Sequence, residues 1–260
     1  MGLLADWTDR HLVFDTALAV LRRVVPEGSP DRARQALVQL EQPLMLHMEQ
    51  EESTLLPVYA EHASAVPANG QPRVYLADHA RIRGLLERLA RCVGASTAEA
   101  ILDEQDALCL LAGVLEHHDQ RERTWFVPVL DEAVPEPVRR GWIERFEAAE
   151  ARLPEVADLE PGPAVGWVPE AADPLVALRL AVARDRDVAG AWSRLVASGA
   201  MLGGNPRGAR LMDACHGLVR QALDSPTRAA HRDCLVTLAD RLRLLAIVQA
   251  HPPRVASRKE

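Results

Sequence analysis

The chain has 260 residues, of which 48% are hydrophobic and 4% aromatic, and its formal net charge is −7. This length allows one large domain or two modest ones, and the negative charge argues against a nucleic-acid partner. No apolar stretch is long enough to cross a bilayer, and the first residues lack the basic segment and apolar run of a signal peptide. The sequence therefore predicts a cytoplasmic protein that binds neither nucleic acid nor membrane.

A histidine stands at the head of the first predicted helix. Apolar residues follow His11 at the three- and four-residue spacing that places side chains on one helix face. These residues are Phe14, Leu18, Leu21 and Val25. The proline- and glycine-containing segment 26–30 ends this helix.

The second predicted helix carries a histidine and a glutamate one turn apart. Positions i and i+4 lie on one helix face, so the His47 imidazole and the Glu51 carboxylate should stand side by side. Pro57 follows six residues after the glutamate. The face predicted to be buried holds Leu37, Leu40, Leu44, His47, Glu51, Thr54 and Val58.

The third and fourth predicted helices repeat the first two. The third has the face Tyr75, His79, Ile82, Leu86, Leu89 and Val93. The fourth has the face Leu108, Leu111, Leu115, His118, Glu122, Trp125 and Val129, with Pro128 again six residues after the glutamate. Each residue of the fourth face lies 71 positions after its counterpart in the second, and His79 lies 68 positions after His11. This internal duplication predicts an all-α fold built on an up-down four-helix bundle.

The remaining residues are predicted to form a separate helical region. A short helix follows Pro137 and reaches about Arg152, and the proline- and glycine-rich residues 154–174 indicate a linker. Three further helices should begin where a capping side chain precedes a proline. These starts are Asp173-Pro174, Asn205-Pro206 and Ser225-Pro226. The predicted domains are a metal-binding bundle (1–133), a short helix with a linker (134–172) and a C-terminal helical domain of open role (173–260).

Six polar residues interrupt the apolar faces of the bundle. Burying a carboxylate among leucines without a cation or donor costs roughly several kcal/mol. A single histidine on an apolar face is more often a core residue than a ligand. Here, however, four faces each carry one histidine, and two of them add a glutamate at i+4. Imidazole and carboxylate ligands favour iron or manganese, and carboxylates can bridge two cations. The candidate metal ligands are His11, His47, Glu51, His79, His118 and Glu122.

Residues 8–133 resemble the hemerythrin-like (HHE) domain. In that family a histidine on helices one and three alternates with His-x-x-x-Glu on helices two and four, and all six positions occur here in order. The segments 47–57 and 118–128 match the family pattern closely. The resemblance implies a non-haem di-iron centre, with two Fe ions held by these six residues, that handles dioxygen or a related small molecule. It does not extend to the C-terminal region.

One position departs from the family pattern. Oxygen-carrying hemerythrins have a further histidine four residues before the helix-three ligand, where this chain has Tyr75. Fewer histidine ligands leave more open coordination positions, which favours activation of oxygen over reversible carriage. Tyr75, our candidate catalytic residue, could ligate the metal, hydrogen-bond a bound oxygen species or donate an electron. The alternative is an aromatic residue that only caps the core.

Two neighbours of the candidate ligands are weaker candidates. His117 is off the apolar face and breaks the 71-residue repeat, so we expect it to be peripheral. Asp15 lies four residues after His11 and either orients an imidazole or is a solvated helix residue.

Three functional hypotheses stay open. The favoured one is an oxidative enzyme, a di-iron oxygenase or oxidase acting on a small molecule. The second is a sensor of oxygen, nitric oxide or iron, whose C-terminal helices relay occupancy of the site to a partner. The third is an iron-handling stress protein without turnover. The C-terminal region could also form a homodimer.

Overall fold

The computed structural model describes residues 7, 10–27, 29–94, 96–154, 159, 170–198 and 206–250, and every regular element within them is helical. The all-α prediction is therefore confirmed. Within those ranges, no helix has the length and apolar character that crossing a membrane requires. Contacts divide the chain into two compact units. The first comprises Met1–Val25, Ser29–Gly94 and Leu110–Gly162, and the second Pro26–Gly28, Ala95–Cys109 and Pro163–Glu260.

The first unit is the predicted helix bundle with one added helix. Its helices are α1 (His11–Val24), α2 (Pro30–Gln50), α3 (Leu56–His62), α4 (Pro72–Cys92), α5 (Ala98–Arg121), α6 (Val127–Ala133) and α7 (Glu136–Glu150). A π-turn over Glu51–Leu55 joins α2 to α3, and a second over Glu122–Phe126 joins α5 to α6. The four long helices of the bundle are thus α1, α2 with α3, α4, and α5 with α6.

The π-turns correct the predicted buried faces. Each turn is wide, with the Leu56 N–H donating to the Glu51 carbonyl and the Val127 N–H to that of Glu122. A proline clashes with the carbonyl four residues before it in an α-helix, and a wider turn relieves the clash. Pro57 and Pro128, which recur six residues after each glutamate, therefore explain why both turns are wide. The extra residue rotates the buried face, and four predicted members of that face are only half-buried: Thr54, Val58, Trp125 and Val129. The fully buried residues are instead Leu55, Leu56, Tyr59, Phe126, Val127 and Leu130.

An aromatic cluster forms the core beside the π-turns. Trp142 and Phe146 of α7 pack in the same cluster as Trp7, Tyr59 and Tyr75. The added helix therefore belongs to the core of the first unit. Its observed bounds, Glu136–Glu150, lie close to the predicted ones.

Within the described residues, the second unit contains four helices of its own and the first half of α5. They are α8 (Pro174–Ala183), α9 (Val188–Ala197), α10 (Pro206–Leu223) and α11 (Arg228–Ala250). The unit boundary falls between Cys109 and Leu110, inside α5. The core consists mainly of apolar faces of these helices, including Leu178, Leu195 and Leu238. The predicted domain division at residues 133 and 172 stays a prediction.

Two of the three predicted helix starts lie in the described residues. Asp173 caps α8 as expected, accepting hydrogen bonds from the backbone N–H groups of the second and third following residues. The start at Ser225 is wrong, because α11 begins at Arg228. Thr227 caps it by accepting the Ala230 N–H, whereas the Ser225 hydroxyl donates to the Gln221 carbonyl. Position 205, the third predicted cap, lies outside the described residues.

Candidate metal centre

The bundle brings all six predicted ligand side chains together. Each of the four long helices contributes one histidine, and each π-turn begins with one of the two glutamates. All six are buried, and Glu51, His79 and Glu122 are 0% exposed. Their ligand atoms form two groups, within each of which the atoms lie no more than 4.8 Å apart. We name His11, His47 and Glu122 position A, and Glu51, His79 and His118 position B.

Each glutamate faces both positions. Glu51 Oε1 lies 3.1 Å from His47 Nε2 of position A, and Glu51 Oε2 lies 3.0 Å from His79 Nε2 of position B. Glu122 also faces both positions. Its Oε2 lies 3.0 Å from His11 Nε2 of position A, and its Oε1 lies 2.9 Å from His118 Nε2 of position B. This is the arrangement of two carboxylates placed between two cations, one oxygen toward each.

Several of these buried atoms lack a hydrogen-bond partner within the described part of the chain. They are Glu51 Oε2, His79 Nε2, His118 Nε2 and both carboxylate oxygens of Glu122. Buried polar atoms without hydrogen bonds are costly, and cations bound at positions A and B would satisfy them. The donor set of imidazole nitrogen and carboxylate oxygen also fits iron or manganese. The residues present therefore fit a metal centre.

The electrostatics of the cluster favour positive charge. Burial lowers the pKa of His11, but the carboxylates of Glu122 and Asp119 raise it to about 10. The same two effects act on His118. Burial lowers its pKa, but Glu122 raises that pKa well above its usual range. Burial raises the pKa of both glutamates, yet the surrounding imidazoles hold each below its usual range. The glutamates are thus ionised, and protons on the imidazoles or bound cations balance their charge.

Carboxylates outside the six candidate ligands orient the imidazoles. His11 Nδ1 donates to Asp119 Oδ1 at 2.5 Å, and His79 Nδ1 donates to Glu52 Oε1 at 2.8 Å. A carboxylate on Nδ1 fixes the tautomer that leaves Nε2 free to bind a metal. His118 Nδ1 faces Asp78 Oδ2 at 3.6 Å, an ion-pair distance too long for a hydrogen bond.

Sequence reasoning missed these three carboxylates. Their signal was present, since each is the immediate neighbour of a ligand: Glu52 follows Glu51, Asp78 precedes His79 and Asp119 follows His118. Neighbouring residues on a helix point in different directions. An acid beside one ligand can therefore reach the imidazole of a ligand on another helix, as Asp119 of α5 reaches His11 of α1.

His47 has an aromatic neighbour in place of an acid. Its Nδ1 has no hydrogen-bond partner among the described residues, and its ring stacks on Trp7 with 4.5 Å between centroids and 11° between planes. The Trp7 Nε1–H also points at Glu51 Oε1, 3.5 Å away. Trp7 therefore packs against position A.

Tyr75 occupies the corresponding place beside position B. Its ring meets that of His118 edge-on, with 5.9 Å between centroids, and is 0% exposed. The hydroxyl donates to the Arg121 carbonyl at 3.1 Å, and burial with nearby Tyr59 raises the pKa of the phenol. The hydroxyl is thus directed to a backbone carbonyl. A catalytic role of Tyr75 stays a prediction.

The two weaker candidates lie away from the cluster. His117 is exposed, and its Nδ1 donates to the Gly113 carbonyl of the same helix at 2.6 Å. Asp15 is also exposed. Asp119, and not Asp15, holds the His11 imidazole.

One protein family matches the chain. Residues 2–130 match the family model described as the hemerythrin HHE cation-binding domain. No curated protein and no solved structure matched the chain. The matched residues include all six converging side chains, and both groups could hold a metal ion. Residues 2–130 of this chain therefore form a hemerythrin HHE cation-binding domain.

Proposed function

We propose that this chain is a non-haem di-iron protein that binds and activates dioxygen, or a related small molecule, as an oxidative enzyme. One observation carries the proposal: Glu51 and Glu122 each direct one carboxylate oxygen to position A and the other to position B. This geometry supports two metal ions bridged by carboxylates. Iron is the proposed metal, and manganese is the alternative.

The protein side chains have distinct tasks in such a centre. The two ionised glutamates offset the charge of the cations, and the four imidazoles bind through Nε2. Asp119 and Glu52 hold His11 and His79 in the required orientation. Because all six ligands are buried, bulk water is kept from the cluster. Two bound iron ions would supply the electrons that reduce dioxygen.

Positions A and B have equally small sets of ligands, which favours activation of dioxygen over its reversible carriage. Each position has only two histidines, since the residues one turn before His11 and His79 are Trp7 and Tyr75. Neither aromatic residue hydrogen-bonds to an imidazole; Tyr75 instead donates to the Arg121 carbonyl. Both positions therefore retain coordination sites at which a small molecule can bind and react.

The test is anaerobic loading with ferrous iron, followed by exposure to oxygen. We expect two irons per chain, an absorption change on oxidation and continued oxygen consumption when a reductant is supplied. The matched control is His117→Ala, which removes an exposed imidazole beside a ligand and should leave the iron content unchanged. One-time oxygen uptake without further consumption would contradict an enzyme and favour a binding protein.

A sensing function is the second candidate, and α5 favours it. The last turns of this helix carry His118, while its first half lies in the second unit. There Glu104 pairs with Arg184 at 3.2 Å, with both side chains buried, and Asp106 pairs with Arg179 at 2.6 Å. A change in α5 on metal or oxygen binding would thus reach the C-terminal helices. Identical small-angle scattering of the metal-free, reduced and oxidised forms would count against a sensor.

A further inference from the structure

A cavity of about 620 Å³ opens beside α1 in the first unit. This volume lies within the range of small-molecule sites in proteins. Most of the side chains around it are apolar. They include Leu12, Val13, Phe14, Pro43, Leu153 and Pro154.

Phe14 separates this cavity from the metal-binding cluster. Its ring lies 5.0 Å from that of His47 and 5.6 Å from that of His11, measured between centroids. The side chain is only 6% exposed, yet it also lines the cavity. A molecule in the cavity would therefore rest against a single aromatic ring whose far side contacts two ligands of position A.

The polar groups around the cavity are already engaged. Arg10 pairs with Glu150 at 2.5 Å, and its guanidinium also lies over the Trp7 ring. The Thr16 hydroxyl donates to the Leu12 carbonyl at 2.7 Å. The two charges neutralise each other, and the hydroxyl proton is used. The lining thus favours an uncharged molecule with mostly apolar surface.

Comparison with α4, the counterpart of α1 in the second half of the bundle, shows that the fold does not require apolar residues on this exposed face of α1. Leu12 and Val13 are 69% and 43% exposed. Their counterparts 68 positions later are Ala80 and Arg81, both exposed, as expected of a solvated helix surface. At these two positions only the α1 half carries large apolar side chains, and both of them line the cavity.

The residues at the floor of the cavity also differ between the halves. Phe14 corresponds to Ile82, 68 positions later, and Pro43 to Val114, 71 positions later. Ile82 and Val114 are both buried. Phe14 is also buried, at 6% exposed, so the burial differs between the halves only at Pro43, which is half-buried.

We propose that this cavity binds a small, uncharged, mainly apolar organic molecule against Phe14. Resting on the proposed function, this molecule is the substrate, held one aromatic ring away from the His11 and His47 imidazoles. Its binding needs neither iron nor oxygen, so the two proposals can fail separately.

Fluorobenzene is a suitable probe, observed by ¹⁹F NMR on the full chain loaded with redox-silent zinc and again after chelation. We expect saturable binding in both states. Val13→Arg, which copies the residue of the other half, should weaken binding about tenfold or more, because it fills the cavity and brings charge to an apolar lining. The matched control is Val38→Arg on α2, at a site of similar exposure, 41%, away from the cavity.

Absence of saturable binding, or equal weakening by both substitutions, would overturn the proposal. So would a wild-type chain that is dimeric in size-exclusion chromatography and becomes monomeric with Val13→Arg, since the face would then cover a second copy. Saturable binding by a chain that takes up no iron would retain the cavity as a ligand site and reject the oxidative function.

Discussion

The two halves of the duplicated bundle carry the same ligands in different surroundings. Positions A and B each have two histidines and face the same two glutamates. Around B, His79 is held by Glu52, and His118 faces Asp78. Around A, only His11 has a carboxylate, from Asp119, and His47 stacks on Trp7. The duplication therefore preserves the candidate ligands but not the groups that orient them.

Single substitutions between the halves account for this difference. Asp78 corresponds to Arg10, 68 positions earlier, and an arginine has no acceptor for the His47 Nδ1–H. Glu52 corresponds to Arg123, 71 positions later, and Arg123 pairs with Asp119 at 2.9 Å. At two sequence positions, the half around position B has an acidic residue where the half around position A has an arginine. We therefore expect position B to bind its metal more tightly than position A.

The largest effect should come from the two glutamates, because both halves share them. Glu51→Ala or Glu122→Ala removes an oxygen from each position and leaves buried imidazoles without their counter-charge. We expect iron content to fall from two per chain to below about one for either substitution. Atomic absorption with circular dichroism measures metal and fold together. A folded variant that keeps both irons would reject the bridging assignment.

Substitution of the carboxylates that orient the imidazoles should change the metal affinity of positions A and B separately. Loss of such a group typically costs about 10–100-fold in metal affinity. Glu52→Gln should weaken the tighter step of a zinc titration, and Asp119→Asn the weaker step, because they hold His79 and His11 respectively. Chelator competition gives both constants. Two equal zinc-binding constants in the wild-type chain would contradict the expected difference in affinity between positions A and B.

The Asp78 carboxylate should matter less than that of Glu52. It approaches His118 Nδ1 only to 3.6 Å and also pairs with Arg121 at 3.2 Å. Asp78→Asn should therefore weaken the tighter step by a smaller factor than Glu52→Gln in the same titration. A larger factor would mean that metal binding draws Asp78 onto His118.

Proton release gives a pH test of the same cluster. The pKa of His11 is raised from 6.5 to about 10, so its protonation stabilises the metal-free fold. That stabilisation is full below the ordinary value of 6.5 and is lost as pH rises through about 10. The unfolding temperature of the metal-free chain should fall between pH 7 and 10, while zinc affinity rises because the metal replaces protons. Zinc affinity that is independent of pH would contradict imidazole ligation.

The smallest effect should come from the aromatic residues beside the two positions. Tyr75→Phe removes one hydrogen bond, to the Arg121 carbonyl, and should lower the free energy of unfolding by about 1 kcal/mol without changing metal content. Trp7→Phe should leave position B unchanged and loosen His47 of position A. Denaturant unfolding and the zinc titration measure these effects. Loss of metal from B in Tyr75→Phe would show that the phenol is a ligand.

The sequence predicted that the six candidate ligands lie on buried helix faces, because helical spacing places them there. His47 and Glu51 share a face at i+4, and the repeat at His118 and Glu122 fixes the second pair. The π-turns were missed because a uniform helical period was assumed, although Pro57 marked the first one. Asp119 was missed because its partner, His11, lies on another helix, and no spacing within one helix reports such a contact. A cytoplasmic location and a homodimer stay predictions.

Crystals of the metal-loaded chain, measured at an absorption edge of iron or manganese, test the central claim most directly. We expect two anomalous peaks about 3.5–4 Å apart, as in carboxylate-bridged two-metal sites. One should lie among His11, His47 and Glu122, and the other among Glu51, His79 and His118. A single peak, or peaks that neither glutamate reaches, would contradict the account.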